Sequence, residues 1–561
     1  MERRARTSQD SDAVSNGEES SGMNTLLIGI DAGSLSVFDD LDEEEEIPTI
    51  HRLCSEGVSA PLESQIPPWT PSAWPSMYTG ANPGKHGAFG FVGYDGYDWH
   101  VTSSDDVDEH TVWSLLDRHG YSSVVVNAPI THPPEEFDGA LLPGFIGPED
   151  PQCHPEGLLD DVRDEIGDYR VYPSYSRDDD TIPESEKMEE YQRLIRMRGD
   201  AFRYLANEYE PDFGFVQFQK TDTVFHEFFG DEEKVRMVYE TADEQIAAIL
   251  EEFDPDHVFV ASDHGMGEYD GYEFRVNEFL RDQGYVETMT GGKGMPSWTP
   301  MRRKLREGEE SDTWEPSTVE RAAATVADRF GITAHSVRLA LERVGLAGVA
   351  MKLAPSGVAR TANEQVDFEN SKAYVRARTE LGIRINLEGR DPEGVVPQDE
   401  YEELREELIR ELEGVETPDG DPVFETVAPR ERYFHGDHAD EAVDIVLIPD
   451  EFDHAISEQL GDDYFGPAEP WNHKLDGVFA AMGEGVDEDT DLERAHLFDV
   501  APTIMASFGV PYSDRMDGSV VPVVDAVDST SYPAYNESAD QGRSEADDEV
   551  TDRLADLGYM N

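Results

Sequence analysis

Cysteine is almost missing from this chain: 561 residues include two, Cys54 and Cys153. Two thiols so far apart make neither a disulfide framework nor a thiolate metal site, and a reducing compartment is expected. Long apolar runs are missing too. None reaches about 18 residues, and residues 1–24 carry arginines with no apolar segment behind them, so neither a membrane span nor a secretory leader is read. Basic residues are scarce, with 44 Lys and Arg against 122 Asp and Glu and a net charge of -78. No Lys/Arg cluster could neutralise several phosphates, which excludes binding nucleic acid or anionic lipid through a basic surface. The expectation is a cytoplasmic protein with no membrane contact.

What is abundant is acid, spread along the whole chain instead of gathered in a tail. Self-repulsion at this density is tolerable where salt is concentrated, because the Debye length falls from about 8 Å at physiological ionic strength to about 3 Å at 1 M. A salt-adapted protein that unfolds in low salt is expected. Apolar runs still recur, so the chain is not a disordered polyacid. Its length exceeds what one core usually serves, and one large domain with insertions, or two domains, is expected.

Short, nearly continuous apolar runs stand at 25–30, 122–126, 213–218, 257–261 and 442–448. Unbroken runs predict strands covered on both faces, and helical stretches such as 111–119 and 186–207 lie between them. The predicted fold is α/β, a doubly wound, mostly parallel sheet sandwiched by helices. Residues 1–23 read as a disordered tail, 24–290 and 365–524 as two parts of one core, and 291–364 as an inserted helical cap. Residues 525–561 read as an acidic linker followed by a C-terminal docking helix. A second, loop-rich excursion is expected over 148–186.

The chemistry sits in short, separated segments. Asp31 follows the first predicted strand, and Asp263-His264 follows the fourth, where ligands of doubly wound folds bind. Asp222 and His226 are four apart, on one helix face. Thr70 precedes Pro71 and a short helix closed by Gly80, which puts its hydroxyl at a helix N-terminus that favours an alkoxide or a phosphate. Asn472-His473 adds a third imidazole. Each has an ordinary reading when taken alone: a helix cap for Thr70, a surface carboxylate and a packed histidine for Asp222 and His226, a structural turn for Asp263-His264, a lone structural histidine for His473. Together, three carboxylates, three imidazoles and a threonine are the inventory for two metal ions flanking a phosphate group.

These residues and their order resemble the alkaline phosphatase superfamily, most closely its type I phosphodiesterase and nucleotide pyrophosphatase branch, in a halophilic archaeal type. The resemblance runs from Thr25 to Val520. It includes Gly29-Ile30-Asp31-Ala32-Gly33, the stretch from Pro67 to Gly87, Ser262-Asp263-His264-Gly265-Met266, Leu381-Gly382-Ile383-Arg384-Ile385-Asn386-Leu387 and Phe498-Asp499-Val500-Ala501-Pro502-Thr503-Ile504. It implies an alkaline phosphatase-like fold, with Asp222, His226 and His473 holding one metal, and Asp31, Asp263, His264 and the Thr70 oxygen holding the other. Zinc is the implied ion, with manganese open, and this N/O ligand set suits zinc chemically.

The implied activity is metal-dependent hydrolysis of a small-molecule phosphate ester, phosphodiesterase/nucleotide pyrophosphatase-like, through a phosphothreonine on Thr70, with Lys85 as a candidate substrate contact. A phosphomonoesterase, a phosphoglycerate mutase-like phosphotransferase and an inactive binding module on the same fold remain alternatives. Two departures narrow the substrate: Ala88-Phe89-Gly90-Phe91 offers no counterpart of the phosphate-contacting asparagine of the nucleotide pyrophosphatases, and the sulfatase cysteine signature is absent around Thr70.

Overall fold

Every residue of Thr25–Ile30 (β1) is buried, as a strand with apolar neighbours on both faces requires. In the computed structural model, which describes residues 22–42, 46–175, 181–290, 364–461 and 463–535, β1 lies inside an eight-stranded sheet. Its other strands are Val58–Glu63 (β2), Ser123–Val126 (β3), Gly139–Leu142 (β4), Phe213–Phe218 (β5), His257–Ala261 (β6), Asp476–Met482 (β7) and Ala495–His496 (β8), in the order β8-β2-β7-β6-β1-β5-β3-β4. β1 is parallel to β5 and β6, and only β7 runs against its neighbours β2 and β6. The mostly parallel sheet expected from the unbroken apolar runs is present.

Alternate side chains of these strands feed two cores. Leu27, Val125, Phe215 and Phe259 pack with Trp74, Met77, Trp113 and Ile504 on one face. Leu26, Ile28, Val216 and Val260 pack on the other with Phe202, Leu205, Tyr239 and Ile246. The first face is covered by helices that include Thr70–Thr79 (α1). The second is covered by Glu184–Tyr209 (α2), Lys220–Phe228 (α3) and Glu232–Phe253 (α4). Each fully buried aromatic or aliphatic side chain contributes about 1.5–3 kcal/mol, so the sandwich has ample driving force.

One expectation is corrected. The apolar run at 442–448 does not join the main sheet: its strand, Ile445–Pro449, lies in a separate antiparallel sheet with Ala373–Tyr374, Gly382–Ile385 and Phe424–Pro429. This sheet has its own core with Leu408 and Leu412 of the helix Tyr401–Leu412. An apolar run reports burial, not which sheet supplies it.

The excursion at 148–186 contains the helix Leu158–Ile166. Within the acidic stretch after Asp525, Ser529–Thr530 pairs in parallel with Tyr512–Ser513, and Tyr535 packs edge-on against His110. The expected N-terminal tail up to residue 21, the cap over 291–363 and the docking helix lie outside the described residues.

Candidate functional site

The carboxyl ends of β1, β5 and β6 deliver three of the singled-out segments to one place, because parallel strands end on the same edge of the sheet. Asp31 is the first residue past β1. Its Oδ2 accepts hydrogen bonds from Gln217 Nε2 at 2.7 Å and Trp74 Nε1 at 3.4 Å. Its carbonyl accepts from Thr221 Oγ1 at 2.7 Å, which ties the end of β1 to α3. Asp263 and His264 follow β6, and the Ala32 N–H donates to Asp263 Oδ1 at 3.3 Å. Asp222 and His226 share one face of α3, as their spacing predicts.

Thr70 is the first residue of α1, with Pro71 behind it and Gly80 closing the helix at φ 68°. His473 comes from the strand Trp471–Lys474, which pairs antiparallel with Gly265–Glu268 and sets His473 opposite Met266. Tyr269 holds this strand from the other side, its hydroxyl donating to the His473 carbonyl at 2.7 Å.

All seven side chains converge. His264 Nε2 stands 3.4 Å from Thr70 Oγ1, 3.2 Å from Asp263 Oδ2 and 3.7 Å from Asp31 Oδ1. Asp222 Oδ1 stands 3.2 Å from His226 Nε2 and 3.4 Å from His473 Nε2, and the two Nε2 atoms are 3.0 Å apart. The rings of His264 and His473 stack with centroids 3.6 Å apart, so the two halves touch. Lys85 Nζ is engaged by other partners, donating to Asp517 Oδ1 and to the Arg515 carbonyl, both at 2.6 Å.

The donor set fits divalent metal. Asp222, His226 and His473 form one group of ligand atoms within 4.8 Å of one another, and Asp31, Asp222 and His264 form a second, with Asp222 between them. Asp31 Oδ1 and Asp263 Oδ2 are buried and accept no hydrogen bond among the described residues. An anionic oxygen in that state costs free energy unless a cation meets it. The outer nitrogens of two imidazoles are committed, His264 Nδ1 to the Gly265 carbonyl at 3.0 Å and His473 Nδ1 to the Pro68 carbonyl at 2.8 Å. Both Nε2 lone pairs are therefore turned inward, the tautomer of metal-ligating histidine.

Charge is crowded here. Burial drives the Asp31 carboxyl well above the usual range, and Asp263 and Asp222 beside it push it further. Burial would raise Asp222 as well, yet His226 and His473 hold it well below its ordinary value. His226 is raised to about 9, because Asp222 and Glu469 outweigh its burial. Burial opposes the charge on His264, but Asp263 wins and raises it. Burial and the neighbouring His264 take His473 down to about 4. Metal at these ligands would require them deprotonated, so binding would release protons.

Sequence reading missed the supports. Gln217 is a polar residue near the end of the otherwise apolar β5, a signal that was available. Trp74 lies within the Thr70 helix. Glu469, 3.8 Å from His226 Nδ1, sits in a stretch with no pattern to announce it.

The fold compares with known structures at low sequence identity. Wild-type alkaline phosphatase PafA is 14% identical, covers 91% of this chain and 100% of its own, and superposes with a TM-score of 0.52. Phosphonoacetate hydrolase from Sinorhizobium meliloti is 14% identical, with 85% and 94% covered and a TM-score of 0.48. Human ectonucleotide pyrophosphatase/phosphodiesterase 5 is 12% identical, with 90% and 97% covered and a TM-score of 0.46. No curated protein matches the chain in sequence.

The fold is alkaline phosphatase-like. The family model for type I phosphodiesterase / nucleotide pyrophosphatase matches residues 25–333, more than half of the chain, and the chain belongs to that family. It is a phosphoric ester hydrolase.

Proposed function

We propose that the protein is a metal-dependent phosphodiesterase that works through a phosphothreonine intermediate on Thr70. The observation that carries this reading is the convergence of Asp31, Thr70, Asp222, His226, Asp263, His264 and His473 into one buried pocket. Asp222, His226 and His473 would hold one ion, and Asp31, Asp263, His264 and the Thr70 oxygen the other, with zinc the best match to the donors. When bound, the ions would lower the pKa of the Thr70 hydroxyl and offset the charge of the phosphate.

The chain's own residues supply the rest. Thr70 Oγ1 attacks phosphorus in line with the leaving alcohol, forming the O–P bond as the opposite P–O bond breaks. The N-terminus of α1 stabilises the developing negative charge. Gln217 and Trp74 fix Asp31 so that its free oxygen faces the pocket. Water then cleaves the phosphothreonine, returning the hydroxyl and releasing a phosphate monoester. A net charge of -78 is adapted to molar salt and a cytoplasmic setting. Among the described residues no helix is long and apolar enough to cross a membrane.

The test is Thr70→Ala, assayed on bis-p-nitrophenyl phosphate beside p-nitrophenyl phosphate in molar KCl with zinc or manganese. Wild type is expected to prefer the diester. The variant is expected to lose more than about a thousandfold in turnover with metal content intact. Unchanged turnover would remove Thr70 as the nucleophile.

A further inference from the structure

Two cations are buried near the site yet outside it. Arg198 of α2 and Lys220, the first residue of α3, are each 4% exposed. Both line one cavity, together with Asn127, Phe218 and Gln219. The guanidinium of Arg198 donates to the carbonyls of Arg170 at 2.6 Å and Val171 at 2.9 Å, and lies over the Tyr169 ring. Lys220 Nζ donates to Gln219 Oε1 at 2.6 Å and Thr223 Oγ1 at 3.5 Å, and lies over the Tyr191 ring. Every one of these partners is neutral.

Neither cation forms an ion pair among the described residues, in a chain where acid outnumbers base almost threefold. Burial and the neighbouring Arg198 charge lower Lys220 to about 7, against the pull of Asp222, Glu227 and Asp31 from farther off. Glu227 is already engaged by Lys187 at 2.6 Å and by the Tyr191 hydroxyl, and the two aspartates belong to the pocket described above. A desolvated charge needs a counter-charge. Here the protein provides two cations, unspent N–H donors on both, and a space in place of the carboxylate.

We propose that this cavity holds a monatomic inorganic anion, a halide such as chloride, as the counter-ion shared by Arg198 and Lys220. Size selects the class. The cavity measures about 10 Å³, room for roughly one water-sized particle. A halide is a single sphere, larger than water, for which the lining must give way slightly, whereas a tetrahedral oxyanion carries four oxygens around its centre and needs still more room. Chloride is also the anion that accompanies potassium or sodium at the salt concentrations this surface is built for. The proposal does not rest on the metal reading, since none of the seven convergent side chains lines the cavity. A structural link joins the two places: Asn127 Nδ2 donates to Gln217 Oε1 at 2.6 Å, and Gln217 Nε2 donates to Asp31.

The decisive experiment is anomalous diffraction at the bromine edge from crystals of the full chain equilibrated in bromide. A peak within bonding distance of both Arg198 and Lys220 Nζ is expected. Water in that position, or bromide only at the protein surface, overturns the proposal. Thermal melts at equal ionic strength provide the solution counterpart, with potassium chloride, bromide, gluconate and sulfate as the four arms. Sulfate raises Tm generally by exclusion from the surface, so the site is read from the variant: Arg198→Met is expected to lower Tm more in chloride and bromide than in gluconate and sulfate. A loss of Tm that is equal in all four salts contradicts the proposal. Should Arg198→Met not fold, the wild-type bromide peak alone decides.

Discussion

His226 Nδ1 stands 3.8 Å from Glu469 Oε1, while the Nε2 of the same ring faces Asp222 at 3.2 Å. Arg378 lies 3.6 Å from the other Glu469 oxygen, so the carboxylate is itself oriented. A carboxylate behind a ligating imidazole fixes the ring and raises its basicity. Glu469→Gln is therefore expected to weaken zinc affinity by about 10–100-fold, read by competition against a chromogenic chelator, with the fold intact by circular dichroism. Affinity equal to wild type would show that Glu469 does not support His226.

Gly29 lies one residue inside the end of β1, where a Cβ would come within 2.5 Å of Trp74 Cη2 and 3.1 Å of Gln217 Cγ. These are the two side chains that hold Asp31 Oδ2. Gly29→Ala is expected to cost about 1–3 kcal/mol of stability through overpacking and to lower kcat by displacing Trp74 from Asp31. A variant with reduced stability and unchanged kcat would separate the packing of this corner from its chemistry.

His86 is buried at the end of a short helical turn, with Ser76 Oγ at 2.9 Å from Nε2 and the Ala88 N–H donating to Nδ1 at 3.1 Å. Burial holds its imidazole at about 3, with His438 adding to the effect. The folded pKa lies below the unfolded one, so the unfolded chain binds a proton that the native state refuses between about pH 6.5 and pH 3. The site thus favours the unfolded state increasingly as pH falls through that window, by at most about 1.4 kcal/mol per pH unit. His86→Gln, which can keep both hydrogen bonds, is expected to flatten the acid limb of a denaturation series in high salt. An unchanged slope would show that His86 titrates normally.

Much of this architecture was legible because the relevant signals are local. Thr25–Ile30 and Phe213–Phe218 read as buried strands because both faces are covered, and Asp222 and His226 read as one helix face because a helix repeats every 3.6 residues. Pro71 and Gly80 framed the helix that carries Thr70. What escaped depends on tertiary contact. Nothing within 442–448 says that its partners are Gly382–Ile385 and Phe424–Pro429 instead of the main sheet. Lys85 stands in the same motif as Thr70, yet its charge is taken by Asp517, 432 residues away. Glu469 reaches His226 across 243 positions that carry no period.

The proposed two-ion site is tested most directly by diffraction at the zinc edge from crystals of the full chain grown in molar salt with zinc. Two anomalous peaks are expected, one bonded to Asp222, His226 and His473 and the other to Asp31, Asp263 and His264 within reach of Thr70 Oγ1. A pocket that stays empty of metal, with zinc bound only at surface carboxylates, would contradict it.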